Sequence, residues 1–129
     1  MATIPAVFKS GPGPGESTVV WDGMVTGDVG APVRAAKVGD KSVTVSGTIG
    51  TSTLALEGTN EEDTPDVPDL TTMQVLHNPT VTTAISYTTL PKQDQILEVT
   101  KWIRPNLSGG AGASGVKVTV LFRRQTSHV

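Results

Sequence analysis

Short segments in which apolar and polar side chains alternate recur along this chain, and they restrict its fold more than any other feature. The clearest segment runs from Val116 to Phe122, and another runs from Ser42 to Ile49. Successive side chains of a strand point to opposite faces of a sheet, so this alternation predicts strands with one buried face. The chain also contains 19 Thr and 17 Val, whose β-branched side chains fit a pleated surface better than a helix. The sequence therefore predicts an all-β fold.

Turn residues separate the alternating segments at a spacing of roughly ten residues, which is typical of a β-sandwich or a jelly roll. With 129 residues, the chain is long enough to form one domain around its own core. We expect that domain to span residues 17–129. Its strands are predicted near residues 18–25, 32–38, 42–49, 53–58, 71–77, 82–89, 95–104 and 115–124.

Residues 1–16 are predicted to form an extended N-terminal arm. They end in the run Gly11-Pro12-Gly13-Pro14-Gly15, and such a run disfavours both helix and sheet. Ile4, Val7 and Phe8 make the arm more apolar than an ordinary disordered tail. Either the arm packs against another surface or it is a frayed terminus.

Two stretches look like strands that run into turns. In the stretch from Leu54 to Asn60, alternation places Leu54 and Leu56 on the buried face, and Gly58 with Asn60 is expected to take the positive φ of a tight turn. In the stretch from Lys101 to Pro105, proline has no N–H to donate, so strand pairing is expected to stop just past Arg104.

Charge is unevenly distributed, although the formal net charge is only −2. Six acidic residues and no basic residue lie within residues 57–69, whereas six basic and two acidic residues lie within residues 70–129. The acidic loop is either a solvated loop or an electrostatic contact with a neighbouring subunit. The small net charge predicts no strong attraction to nucleic acid or to an anionic membrane.

No pattern of catalytic or ligand-binding residues is apparent. The chain has no cysteine, no Gly-x-Ser-x-Gly elbow and no phosphate-binding lysine loop. Carboxylates are hard ligands of the kind calcium prefers, but those of residues 61–69 lack the spacing of an EF-hand. His77 has no zinc-ligand spacing to another histidine or glutamate. We therefore expect no enzymatic activity, no cofactor and no metal site.

Several segments of the chain resemble those of two related groups of jelly-roll proteins. One group is the discoidin-like, galactose-binding domains, and the other is the small virion proteins of tailed bacteriophages, among which capsid cement or decoration proteins fit best. The resemblance covers roughly residues 42–124. It rests on Ala55-Leu56-Glu57-Gly58-Thr59-Asn60, Trp102-Ile103-Arg104-Pro105, Gly109-Gly110 and the closing run Val116-Lys117-Val118-Thr119-Val120-Leu121-Phe122-Arg123-Arg124.

The resemblance implies a jelly-roll β-sandwich of about eight antiparallel strands that binds the outer surface of a tailed-phage capsid. Such a cement protein stabilises contacts between subunits of the major capsid protein. Its expected partners are that protein and further copies of itself, as a dimer or trimer, with no direct nucleic-acid and no membrane contact. We expect synthesis in the cytoplasm of the host bacterium and a final location on the virion. Another virion part, such as a head-fibre base, tail or baseplate protein, and a discoidin-like carbohydrate-binding module are the alternatives.

Under this interpretation, segments outside the central strands make the contacts with the capsid or with neighbouring subunits. These are the arm, the acidic loop and the basic end of the last strand. The predicted contact residues are Ile4, Val7, Phe8, Glu61, Glu62, Asp63, Asp66, Asp69, Arg123 and Arg124.

Overall fold

The computed structural model describes residues 2–10, 16–35, 40–79 and 83–123. In these residues the fold is all-β, as predicted, with a single 3₁₀ turn at Leu70–Thr72. The strands are β1 (Thr3–Ile4), β2 (Val7–Ser10), β3 (Glu16–Met24), β4 (Val29–Gly30), β5 (Val33–Arg34), β6 (Asp40–Thr48), β7 (Thr53–Thr59), β8 (Glu62–Thr64), β9 (Val67–Pro68), β10 (Gln74–Val75), β11 (Ser86–Tyr87), β12 (Lys92–Gln95), β13 (Trp102–Ser108) and β14 (Ser114–Arg123).

These strands form two large sheets and one small hairpin. Sheet A has the order β1-β4-β13-β7-β10, with β5 attached to β13 and β11 attached to β7. Sheet B has the order β12-β6-β14-β3-β2, and all of its pairs are antiparallel. The hairpin consists of β8 and β9. Sheet A is mixed, because β1 runs parallel to β4.

One hydrophobic core joins side chains of the two large sheets. Sheet B contributes Val19, Val43 and Val120, while sheet A contributes Leu54 and Ile103. The predicted alternation is confirmed in β6 and β14, where Val43, Val45, Val116, Val118, Val120 and Phe122 are buried. Burying one face of each strand supplies the main driving force for folding.

Trp21 fastens the two sheets together. Its side chain is fully buried on β3, and its Nε1 donates a hydrogen bond of 2.9 Å to the backbone oxygen of Ala31, next to β4. Gly30 leaves the space that this contact needs. A Cβ atom at residue 30 would lie 2.7 Å from Trp21 Cδ1 and 2.5 Å from Pro105 Cδ.

The N-terminal residues pair with both sheets. β1 pairs with β4 of sheet A, and β2 pairs with β3 of sheet B. Asp28 holds the start of β1, because its buried carboxylate accepts hydrogen bonds from the backbone N of Ala2 and of Val25. These contacts attach residues 2–10 of the predicted arm to the body, while the Gly-Pro run 11–15 lies outside the described residues.

The prediction that pairing stops after Arg104 is wrong. Strand β13 continues to Ser108, and Pro105 lies opposite Leu56 in register with β7. Leu107 N donates to Asp28 O on the β4 side of β13. The nitrogen of Pro105, two residues earlier in the strand, faces the same side. Pairing is interrupted there between β5 and β4, and the proline consequently removes no ladder hydrogen bond.

Two further expectations for the same region are corrected. Gly58 is a strand residue without a positive φ, and it is required for close approach, because a Cβ atom there would lie 2.9 Å from Trp102 O. Residues 96–101 of the predicted strand 95–104 are not in a strand. The burial of Leu54 and Leu56 is confirmed.

Candidate interaction surfaces

The outer face of sheet A carries paired charges around Trp102. Lys101 Nζ lies 2.8 Å from Glu62 Oε1, and Trp102 Nε1 donates to Glu62 Oε2 at 3.2 Å. The Arg34 guanidinium carbon lies 5.7 Å from the centre of the Trp102 ring, within the range of a cation–π contact. The hydrogen bond from Lys101 holds the pKa of Glu62 below its ordinary value.

A second pair of charges lies further along β13. Arg104 Nε donates to Glu57 Oε1 at 3.1 Å, and both side chains are largely shielded from solvent. Asn106 Nδ2 donates to the other oxygen of Glu57 at 3.4 Å. The charges of this face are therefore largely neutralised within the chain.

Three of the predicted acidic contact residues are engaged within the chain. Besides the Glu62 contacts, Asp66 pairs with Arg34, and it does so from a left-handed backbone conformation with φ of 66°. Asp69 Oδ1 accepts from Thr71 N at 3.0 Å and caps the 3₁₀ turn. The hydrogen bonds from Thr71 lower the pKa of Asp69. Sequence analysis placed these acids in one loop but did not supply their partners.

The remaining acidic contact residues are accessible. Glu61 and Asp63 are exposed, and neither side chain takes part in an ion pair or hydrogen bond with the described residues. Glu61 directly precedes the β8–β9 hairpin, and Asp63 is part of β8. A charged contact with another molecule is therefore open to these two side chains.

The predicted N-terminal contact residues separate into a packed and an exposed group. Ile4 is partly buried and packs against the core. Val7 and Phe8 are 53% and 62% exposed on β2, the outermost strand of sheet B. Among the described residues, β2 has one neighbouring strand, β3, so its other edge offers backbone hydrogen-bonding groups.

The basic end of the last strand lies in sheet B, where β3 separates β14 from β2. Arg123 is exposed on β14, with Glu16 and Asp40 directly opposite it on the two neighbouring strands. Arg124 lies outside the described residues. The structure thus does not bring the predicted contact residues into one site.

Two half-buried polar pairs, missed by sequence reasoning, lie close to the end of β12. Glu98 binds His77 twice, with His77 Nδ1 2.7 Å from Oε2 and His77 N donating to Oε1 at 2.7 Å. Tyr87 donates to Asp94 at 2.5 Å, and burial together with this bond raises the pKa of the phenol. Only the fold brings these residues together, because 21 positions separate His77 from Glu98.

Lys41 is buried on the core side of β6, opposite Phe122. Burial lowers the pKa of its ammonium group, and the nearby Asp40 and Glu98 carboxylates oppose that shift. Extending the alternation of β6 back by one position would have indicated that Lys41 is buried, since Lys41 lies on the same face of the strand as Val43 and Val45.

We predict that Glu98→Gln makes the stability of the protein less dependent on acid pH. Burial alone would raise the pKa of Glu98, but the hydrogen bonds from His77 outweigh it and place the pKa below the ordinary value of 4.5. The ionised carboxylate therefore stabilises the fold above about pH 4.5, and this contribution is lost as the pH falls through the lower folded-state pKa. The variant should be less stable at pH 7 and lose less stability on acidification.

Urea unfolding at a series of pH values between about 7 and 2 measures this effect. Glu61→Gln is the matched control, because that exposed side chain takes part in no ion pair or hydrogen bond with the described residues, and it should keep the pH dependence of the parent protein. An equal pH dependence in Glu98→Gln and the parent would contradict the prediction.

Neither a metal centre nor a membrane-spanning helix is found in the described part of the chain. No group of three or more histidine or carboxylate side chains there could hold a metal ion, and no helix there is long and apolar enough to cross a membrane. Known protein families, curated proteins and solved structures gave no match to this chain.

Proposed function

We propose that this chain is a structural virion protein with a jelly-roll fold that binds the outer surface of a tailed-phage capsid and stabilises contacts between major capsid protein subunits. The observation that supports this proposal best is the exposed edge of β2. It combines the exposed side chains of Val7 and Phe8 with backbone groups available to an added strand. An exposed aromatic side chain next to such an edge is a suitable anchor for another protein.

The attachment of β2 to the body supports the same role. All four β2 residues pair with β3, and β1 is held by β4 and by the carboxylate of Asp28. A contact strand that is already ordered loses little conformational entropy on binding. A cement protein stabilises a capsid through the total area buried by its many copies. This role needs no active site.

Glu61 and Asp63 provide a second contact element in this proposal. Lys101 is already paired with Glu62. The exposed carboxylates of Glu61 and Asp63 can therefore pair with basic side chains of a capsid subunit. Contacts between exposed charges weaken as salt screens them. Capsid binding that is unchanged as ionic strength is raised would remove this part of the proposal.

The described aromatic side chains do not favour the carbohydrate-binding alternative. Trp21, Tyr87, Trp102 and Phe122 are buried, whereas a sugar-binding platform needs exposed rings. Phe8 is exposed as a single aromatic residue on a strand edge. We therefore retain the virion role.

We predict that Phe8→Asp greatly reduces binding to capsids. Loss of an anchoring aromatic side chain costs about 2 kcal/mol, or about 30-fold in affinity, and a charge at the edge adds a desolvation cost. The measurement is the number of copies retained by purified phage heads that lack the protein and are then incubated with it. Heads should be those of the phage whose genome encodes this chain.

Val99→Asp is the matched control, because Val99 is 53% exposed in the segment that leads to β13. It should bind as the parent protein does, and circular dichroism should show that both variants are folded. Full occupancy with Phe8→Asp would refute the role of the β2 edge. If the parent protein were absent from heads but present in tails or baseplates, the proposed location on the capsid would be wrong, and the protein would belong to another part of the virion.

A further inference from the structure

The outer face of sheet B differs in chemistry from that of sheet A. Along the three central strands, its outward side chains include Thr18 on β3, Ser42 and Thr44 on β6, and Thr119 and Leu121 on β14, which share rows across the sheet. Leu121 is 36% exposed on the central strand of this face, two residues before the end of β14. These five neighbouring side chains carry no charge, and Lys9 on β2, opposite Thr18, is the next residue of their row. Covering them removes no ionised group from water, and their four hydroxyl groups can bond to a covering protein.

A row of alternating charge borders this uncharged area. Arg123 on β14 lies directly opposite Glu16 on β3 and Asp40 on β6. None of these three side chains belongs to an ion pair with the described residues. In this row the positive Arg123 lies between two negative side chains. When a second copy of the row faces the first and is displaced by one strand, each Arg123 faces a negative side chain of the other copy.

We propose that a second copy of this chain packs face to face on sheet B, related by a two-fold axis that runs parallel to the strands between β14 and β6. Such an axis places β14 of each copy over β6 of the other. Arg123 then faces Asp40 of the partner subunit, and Leu121 faces Ser42 of the partner subunit. Both contacts occur twice, because a two-fold interface repeats each contact.

The shape of the surface supports this arrangement. One hollow lies over the strands that the axis brings together, and it is lined by Asp40, Lys41, Ser42, Gln93, Asp94, Gln95, Leu121 and Arg123. Leu121 of one copy can enter the hollow of the other. Arg123 lines the same hollow, and arginine is a residue type enriched in binding hot spots.

The face is large enough for a small interface. An axis between β14 and β6 overlaps four strands of each copy, which at a spacing of about 4.8 Å give a width of about 19 Å, and the longest of them, at about 3.3 Å per residue, give a length of about 30 Å. Each copy can therefore bury at most about 570 Å², and the pair about 1,100 Å², which lies at the low end of the range of specific interfaces. Packed sheets with nearly aligned strands are a common arrangement.

Charge reversal tests this inference on the purified protein. Asp40→Arg places two Arg123 side chains near new arginines, and Arg123→Asp places two Asp40 side chains near new aspartates. Each single variant should raise the dimer dissociation constant by about 100-fold, because like charges face each other twice. The double variant Asp40→Arg/Arg123→Asp restores opposite charges and should regain most of the affinity. Sedimentation equilibrium over a series of protein concentrations measures all four proteins.

Asp63→Arg is the matched control, since it makes the same charge change on an exposed residue of the β8–β9 hairpin and should leave the dimer unchanged. Thermal unfolding shows whether each variant is folded. A parent protein that is monomeric at about 100 µM, well above the micromolar constants typical of such areas, would overturn the inference. So would a double variant that dimerises no better than the single variants. The measurement contains no capsid, so its outcome is independent of the capsid-binding test.

Discussion

Replacing Trp21 with alanine should lower the free energy of unfolding by about 4 kcal/mol, the largest loss that we expect from any single change. Removal of a fully buried tryptophan leaves a cavity and costs about 3 to 5 kcal/mol. The backbone oxygen of Ala31 also loses the hydrogen bond from Nε1, which adds the cost of a polar group left without its partner. Because domains are typically stable by only about 5 to 15 kcal/mol, this variant should lose between about a quarter and four fifths of the stability of the parent protein. Urea unfolding followed by circular dichroism measures the change.

Two variants separate the contributions to this effect. Trp21→Phe keeps most of the apolar volume but removes the hydrogen-bond donor, and it should lose about half as much stability. Phe8→Ala, a change at an exposed aromatic residue, should alter the free energy of unfolding by less than about 0.5 kcal/mol. A Trp21→Ala protein within about 1 kcal/mol of the parent would show that Trp21 does not fasten the sheets.

Replacing Asp28 with alanine should cost about 2 to 3 kcal/mol and should release β1 from sheet A. The buried carboxylate accepts the backbone N–H groups of Ala2 and Val25 at 3.1 and 2.9 Å. Hydrogen bonds to a charged acceptor contribute about 1.5 to 3 kcal/mol, and truncation leaves both donors without their acceptor. Amide hydrogen exchange of Val29 and Ala31, whose N–H groups bond to Ala2 O and Ile4 O, reports the release of β1 directly.

Asp28→Asn is the informative comparison. It preserves the shape of the side chain and one acceptor oxygen, so it should be more stable than Asp28→Ala while still weaker than the parent. Asp63→Ala removes an exposed carboxylate and should leave exchange at Val29 and Ala31 unchanged. Rapid exchange at those amides in the parent protein itself would contradict the idea that Asp28 anchors the N-terminal strand.

The sequence was most informative where local alternation alone determines burial. The apolar inward residues of β6 and β14 were predicted one by one, because a side-chain period of two is a property of the strand itself. The failures at Pro105 and Gly58 have a different origin. Whether a proline interrupts pairing depends on which edge its nitrogen faces, and whether a strand needs glycine depends on which residues cross it. Both depend on neighbours that are distant in sequence.

The contact surfaces were predictable only in part for the same reason. The apolar residues Val7 and Phe8 and the acidic residues of the loop were identified from composition. However, their surroundings were not, because Arg34 and Lys101 approach the acidic loop only after β5 and β13 have paired. Likewise, Asp40 and Glu16 reach Arg123 only through the register of sheet B. The jelly-roll topology, the domain boundary at residue 16 and the capsid role remain predictions.

The central position of β14 in sheet B has a consequence for synthesis of the protein. Both of its neighbours, β3 and β6, precede it in the chain by many residues, so they cannot complete their pairing until residues 114–123 have left the ribosome. Until then each presents an unpaired edge that can associate with other nascent chains. A topology dominated by such distant pairings also folds slowly. Lower growth temperature or the presence of chaperones should therefore raise the yield of folded protein more than a stronger promoter would.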